Sequence, residues 1–283
     1  MLVAQLTDLH IDLSSDRSRS LVDERANLEL AIDTVLAHDP DAVILTGDLV
    51  NNCAAAEYDV LAEILQRITV PYYPIAGNHD DQRLLRNALA SSIPDNAAES
   101  HLSYVVDDHE VRLVALDTSD TVLDEGVFSD DRAAWLDATL RARPDQPTLL
   151  FTHYPPFVTG IDFMDLAGVR ERDRFESILD AHPQVGLVAC GHTHRDIQTV
   201  IGSARISVCP STVHQLALDF DPAAGAVVGE PAGYQLHTWT GRRFVTHTGV
   251  IGDYPRVDLS EYVAYVHATA AAGKPFLKSD AQH

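Results

Sequence analysis

The chain has 283 residues, 46% hydrophobic and 22% charged, which is enough apolar material for one large folded domain with room for an appendage and excludes disorder as the default. Its formal net charge of −22 argues against a long nucleic acid as partner, though not against a small phosphate ester met by cations. Cys53, Cys190 and Cys209 lack the spacing of a disulfide framework or zinc ribbon, no basic leader opens the sequence, and no run approaches a membrane span; the expectation is a cytoplasmic protein with reduced thiols and no membrane partner.

In chain order, residues 1–7 read as a short apolar strand. Apolar residues at helical spacing predict a helix over 20–39, stopped by Pro40. A continuous apolar run predicts a buried strand over 41–48, followed by a helix over 56–68, a strand over 70–80 and a helix over 81–91. Paired strands follow at 102–108 and 111–119, then a helix over 129–143 with Ser129 as its N-cap. A buried strand at 147–156, a helix at 168–182 and a strand at 185–194 complete the alternation. Shorter strands are expected at 196–201, 204–209, 215–220, 233–239 and 243–249. Strands that alternate with helices and are apolar throughout imply an α/β fold, and the β-rich later half implies a second sheet packed on the first. Residues 251–283 are less regular and read as an arm or helix.

Metal-capable residues gather at the strand ends. The first strand ends in Asp8-Leu9-His10 and the next in Gly47-Asp48. Others end in Gly77-Asn78-His79-Asp80, in His153, and in Gly191-His192-Thr193-His194. Ligands of open α/β sheets bind beyond the carboxyl ends of strands. Residues i and i+2 of an extended chain share a face, so Asp8 can converge with His10, and His192 with His194 if the chain stays extended. The mixed O/N set of Asp8, His10, Asp48, Asn78, His153, His192 and His194 suits Zn, Mn, Fe or Co and is poor for calcium; seven ligands suit two ions sharing a carboxylate. Any one of these motifs alone could be loop chemistry; their joint placement points to a metal site.

The ordered motifs DLH, GDLVN, GNHD, TH and GHTH resemble those of the calcineurin-like metallophosphoesterases over residues 1 to 215. The resemblance implies a β-sandwich of two mixed sheets flanked by helices, with the active site at strand C-terminal ends. It implies that Asp8, His10, Asp48 and His194 hold one divalent or trivalent transition-metal ion, and that Asp48, Asn78, His153 and His192 hold a second. Asn51 stands where purple acid phosphatases carry tyrosine, and GDLVNNC departs from the GDxxDRG of protein Ser/Thr phosphatases. The stretches 47–65, 71–81 and 206–215 look like class III cyclic nucleotide phosphodiesterases and bacterial glycerophosphodiesterases. That subgroup implies hydrolysis of small phosphodiesters by hydroxide held between the two ions. Asp48 and Asn78 would organise the reaction, His79 would face the leaving or phosphate oxygens, and Asn78, His79 and His214 would touch substrate. Asp80 would either orient His79 or cap the helix that follows. The resemblance further implies a catalytic domain over 1–250, with 251–283 as a dimerising arm or active-site cap, and hence a homodimer or higher homo-oligomer. A phosphomonoesterase or nucleotidase, or a scaffold that kept the fold, are the alternatives.

Overall fold

A computed structural model describes residues 1–15, 21–120 and 122–276, and divides the chain into two compact units, residues 1–252 and 253–283. In the first unit, β1 (Leu2–Leu6), α1 (Glu24–Leu36), β2 (Ala42–Thr46), α2 (Ala55–Leu65), β3 (Tyr72–Ile75) and α3 (Gln82–Ala88) alternate as expected; residue 20, the expected start of the first helix, lies outside the described residues. Asp23 caps α1 by accepting the Ala26 N–H, and Asp81 caps α3 by accepting the Leu84 N–H. Asp80 is therefore not the cap of α3.

The hairpin β4 (Tyr104–Val106) and β5 (Arg112–Ala115) leads to α4 (Asp130–Arg141), capped by Ser129 as the sequence implies, with Asp130 and Asp131 complementing the helix dipole in its first turn. Then come β6 (Thr148–Phe151), a short α5 (Asp162–Leu166) that carried no sequence signal, α6 (Arg172–Ala181) and β7 (Val185–Cys190). β8 (Ile197–Ile201) and β9 (Ala204–Val208) follow, then the two-residue strands β10 (Gln215–Leu216) and β11 (Val227–Val228), and the long hairpin β12 (Gly233–Trp239) and β13 (Phe244–Val250). The strand expected over 215–220 survives only as β10, because its continuation opens to solvent at Leu218 and Phe220.

Two mixed sheets form, in the orders β13-β12-β1-β2-β3 and β4-β5-β6-β7-β9-β8. The late strands do not all build the second sheet: β12 returns to pair antiparallel with β1 in the first. The second sheet is continuous in its middle because both its faces are buried. Leu113, Leu149, Phe151, Leu187 and Ala189 join the core shared with the first sheet, while Val114, Leu150 and Val188 join that of α4 and α6. The parallel strands β1, β2, β3 and β5, β6, β7 bring their carboxyl ends to one edge of the sandwich, where cross-sheet bonds lock them, as from the His153 ring to the Thr46 carbonyl (2.8 Å).

In the second unit, α7 (Ser260–Ala271) buries no residue, and Tyr254, Val257, Leu259, Tyr262 and Val263 are exposed.

Candidate metal centre

The backbone coils where the strands end. Asp8 (φ 51°), His10 (44°), Asp48 (51°), His192 (73°) and His194 (48°) are left-handed, a conformation that costs a non-glycine residue about 1 kcal/mol. The convergence of Asp8 with His10 thus comes from a left-handed coil rather than from a shared strand face, and the chain does not stay extended from His192 to His194. Surrounding bonds enforce the conformation: Asp8 N–H donates to Gly47 O (3.0 Å), Leu9 and His10 N–H to Asp48 O (2.8 and 3.0 Å), and Gly191 N–H to His153 O (2.9 Å). Gly47 (φ 93°) has no room for a side chain, since a Cβ would stand 2.5 Å from His153 Nδ1.

Asp48 lies at the junction. Its Oδ2 is 3.6 Å from His10 Nε2, and its Oδ1 is 3.5 Å from His153 Nε2 while accepting the His79 N–H at 2.9 Å. On one side, buried donor atoms of Asp8, His10, Asp48 and His194 all lie within 4.8 Å of one another. On the other, Asn78 Oδ1 is 3.1 Å from His153 Nε2, and the His192 ring lies 5.1 Å from that of His153 between centroids.

The protonation pattern follows from the outer bonds. His194 donates Nδ1–H to the His214 carbonyl (2.9 Å) and His153 donates Nδ1–H to Thr46 O, so in the neutral rings both Nε2 atoms carry lone pairs. His10 donates Nδ1–H to Asn51 Oδ1 (3.1 Å); the Asn51 amide is fixed that way round because its nitrogen donates to Asp12 (3.2 Å). Likewise the Asn78 nitrogen donates to Asp124 (3.0 Å), which turns Oδ1 towards His153. In the neutral rings His10 Nε2 and His194 Nε2 therefore face each other at 3.2 Å as two lone pairs, and Asn78 Oδ1 faces His153 Nε2 as another acceptor pair. Acceptors that converge in a buried place need a cation between them. The donor set so fits metal ions on both sides of Asp48.

Where no ion lies between these groups, protons on the histidines take over part of a cation's work. Burial opposes the charged forms of Asp8 and Asp48, but His194 and His153 beside Asp8, and His153 and His79 beside Asp48, outweigh it and hold both carboxylates below their ordinary range. Burial, reinforced by neighbouring histidines, keeps His10 well below its usual value and His192 near about 3. Burial works against the charged form of His194, but Asp8 outweighs it and raises that ring.

Two further histidines line the centre. The His79 ring packs edge-on to His10 at 4.8 Å and donates Nδ1–H to the Asn51 carbonyl (2.8 Å); burial opposes its protonation, yet Asp48 and that carbonyl together raise its pKa. The His214 ring lies 5.7 Å from His10 and 4.7 Å from His194, and burial and His194 push it down to about 4. All nine residues singled out in the sequence meet at this edge.

Asp80 does not orient the His79 ring. Its carboxylate accepts N–H groups of Leu49 (3.1 Å), Val50 (3.3 Å) and Gly77 (2.9 Å) and the Tyr58 hydroxyl (3.1 Å), tying the segment after Asp48 to the one before Asn78. Burial and then Asp48 push it up to about 7. Asn51, read in the sequence only as a departure from another family, positions two histidines. Its signal was its place three residues after Asp48.

A helix-flanked sandwich whose strand ends converge carboxylates, neutral imidazoles and a turned amide on two cation positions is the architecture of metal-dependent phosphoesterases. The profile of the calcineurin-like phosphoesterases matches residues 1–196, and the chain belongs to that family. It is 35% identical over 261 residues to a protein of Arcobacter nitrofigilis named "Probable glycerophosphodiester phosphodiesterase GpdQ", covering 90% of this chain and 94% of that one. It is 30% identical over 223 residues to a Synechococcus protein named as a probable cyclic nucleotide phosphodiesterase, covering 75% of this chain and 81% of that one. Among solved structures, a dimetal phosphatase from Danio rerio shares the fold with a TM-score of 0.70 at 15% identity, over 89% of this chain and 97% of that one.

Proposed function

We propose that the protein hydrolyses small phosphodiesters, of the glycerophosphodiester or cyclic nucleotide kind, at a two-metal centre. The observation that carries the reading is the facing of lone pairs on both sides of Asp48. Asp8, His10, Asp48 and His194 would hold one ion, and Asp48, Asn78, His153 and His192 the other. The mixed donors suit Fe, Mn, Zn or Co. Such ions, when bound, lower the pKa of a water towards about 7 and offset the charge that grows on phosphoryl oxygens.

The chain's own residues do the rest. His79, with Nδ1–H held by the Asn51 carbonyl, has Nε2 as the nitrogen that can carry a proton to the leaving oxygen. His214, pushed down to about 4, is uncharged near neutrality and serves as a polar wall or hydrogen-bond partner for substrate rather than as an acid. The names of the relatives favour diesters over monoesters. The test is turnover by the manganese-loaded protein of bis(p-nitrophenyl) phosphate beside p-nitrophenyl phosphate, with Asn78→Ala as control. A diester preference lost in the control is expected; a monoester preference would move the reading to a phosphatase.

The exposed Tyr254, Val257, Leu259, Tyr262 and Val263 support a homodimer or higher oligomer formed through residues 251–283, which sedimentation of the full chain and of one ending at 252 would test; residues 277–283 lie outside the described structure. Three free cysteines fit a reducing cytoplasm.

A further inference from the structure

One carboxylate at the centre lies outside the donor set. Asp124 is exposed, and its Oδ1 accepts the Asn78 amide N–H at 3.0 Å. It is thus one amide group away from the atoms that face the second ion. Its acidic neighbours are spoken for: Glu125 pairs with Arg170 (2.6 Å), and Asp120 turns back onto the N–H groups of Val122 and Leu123 (2.9 and 3.1 Å). No ion pair to Asp124 occurs among the described residues, and neither arginine nor lysine donates to Asn78, Asp8 or Asp48 among them. An unneutralised negative charge therefore stands at the open side of a site that takes phosphate esters.

We propose that Asp124 is a charge filter: its carboxylate disfavours doubly charged phosphomonoesters against singly charged phosphodiesters, and speeds departure of the monoester that diester hydrolysis leaves behind. The inference rests on the diesterase reading above. A phosphomonoester loses its second proton near pH 6, so above neutrality substrate and product differ by a full unit of charge. Each unit of ligand charge at this range, partly screened by water, changes affinity about threefold, so the doubly charged ester feels about tenfold where the singly charged one feels about threefold.

The experiment compares the manganese-loaded native protein with Asp124→Asn, whose side-chain oxygen can still accept the Asn78 N–H. The substrates are p-nitrophenyl phosphate and methyl p-nitrophenyl phosphate at pH 8, which share a leaving group and differ by one charge. Metal content is measured on both proteins. We expect kcat/KM for the monoester to rise about tenfold in Asp124→Asn, that for the diester to rise only about threefold, and added salt to shrink the difference. An equal change on both esters, or no change on either, overturns the filter. Binding of inorganic phosphate to the loaded proteins is read separately by calorimetry, and the variant should bind it about tenfold more tightly. If the native protein turns over neither ester, the diesterase reading fails, and the phosphate measurement still decides the filter: equal affinities would overturn it.

Discussion

At the scale of single residues, the centre depends on groups that never touch an ion. Asp12 turns the Asn51 amide, the amide turns the His10 ring, and the ring then presents a lone pair. Removing such an outer partner typically weakens metal affinity about 10- to 100-fold. Asn51→Ala should do so, as read by competition with a chelator, while leaving His79 in place because that ring is held by the Asn51 backbone carbonyl. His79→Ala should instead lower kcat about 10²- to 10⁴-fold at unchanged metal content. Full activity in that variant would remove His79 from the chemistry. The donor residues were legible in the sequence because each sits in a short motif at the end of an apolar run. Asn51 as an anchor, and Asp124, were not: their partners lie 41 and 46 positions away, and no local spacing encodes such a bond. The left-handed backbone was equally hidden, since nothing in an Asp-Leu-His triplet announces a positive φ.

At the scale of elements, the parallel strands deliver the loops and close packing fixes them. A Cβ at Gly77 would overlap the Asp48 carboxylate oxygen. Gly77→Ala should therefore displace the shared carboxylate and abolish tight binding of at least one ion, with circular dichroism unchanged; full metal occupancy would contradict that. The strands also trap a polar layer. His237 on β12 donates Nε2–H to Gln5 Oε1 (3.0 Å), and the Gln5 amide donates to Thr46 Oγ1 and to the Cys190 carbonyl (both 2.8 Å). Burial pushes His237 from 6.5 down to about 3. Below pH 6.5 the unfolded chain takes up a proton that the folded chain refuses, so stability falls as pH drops from about 6.5 to about 3 and is unaffected above that window. Urea unfolding of the metal-free protein should show an acid limb that His237→Gln flattens by about 1.4 kcal/mol per pH unit. Equal slopes would contradict the assignment. The early elements were read correctly in kind because helix and strand periodicities there are clean. The return of β12 to β1 was not, because strand pairing across more than two hundred residues depends on which edge is left open, not on local pattern.

At the scale of the whole molecule, acidity and metal demand are linked. A chain of net charge −22 carries two ionised carboxylates and several lone pairs into one buried place, an arrangement that cations relieve. Ligand binding to the folded state alone adds about 4 kcal/mol at a thousand times Kd, and a domain of this size gains about 2–4 °C per kcal/mol. Stripping metals with a chelator should therefore lower Tm by roughly 10 °C, restored by manganese; no shift would mean that the folded protein does not hold them. The sandwich as a class was legible from strands apolar on both faces, whereas the exposure of α7 follows from how residues 253–276 fold as their own unit, which composition does not reveal.

The central claim is that the carboxylate of Asp48 serves two ions at once. It is tested most directly by counting metal ions per chain after equilibrium dialysis against manganese, for the native protein and for Asp48→Asn. The account predicts about two in the native chain, as the known two-metal phosphoesterase sites hold, and fewer than about one in the variant. A single ion in the native protein at saturation, or two retained by Asp48→Asn, would contradict it.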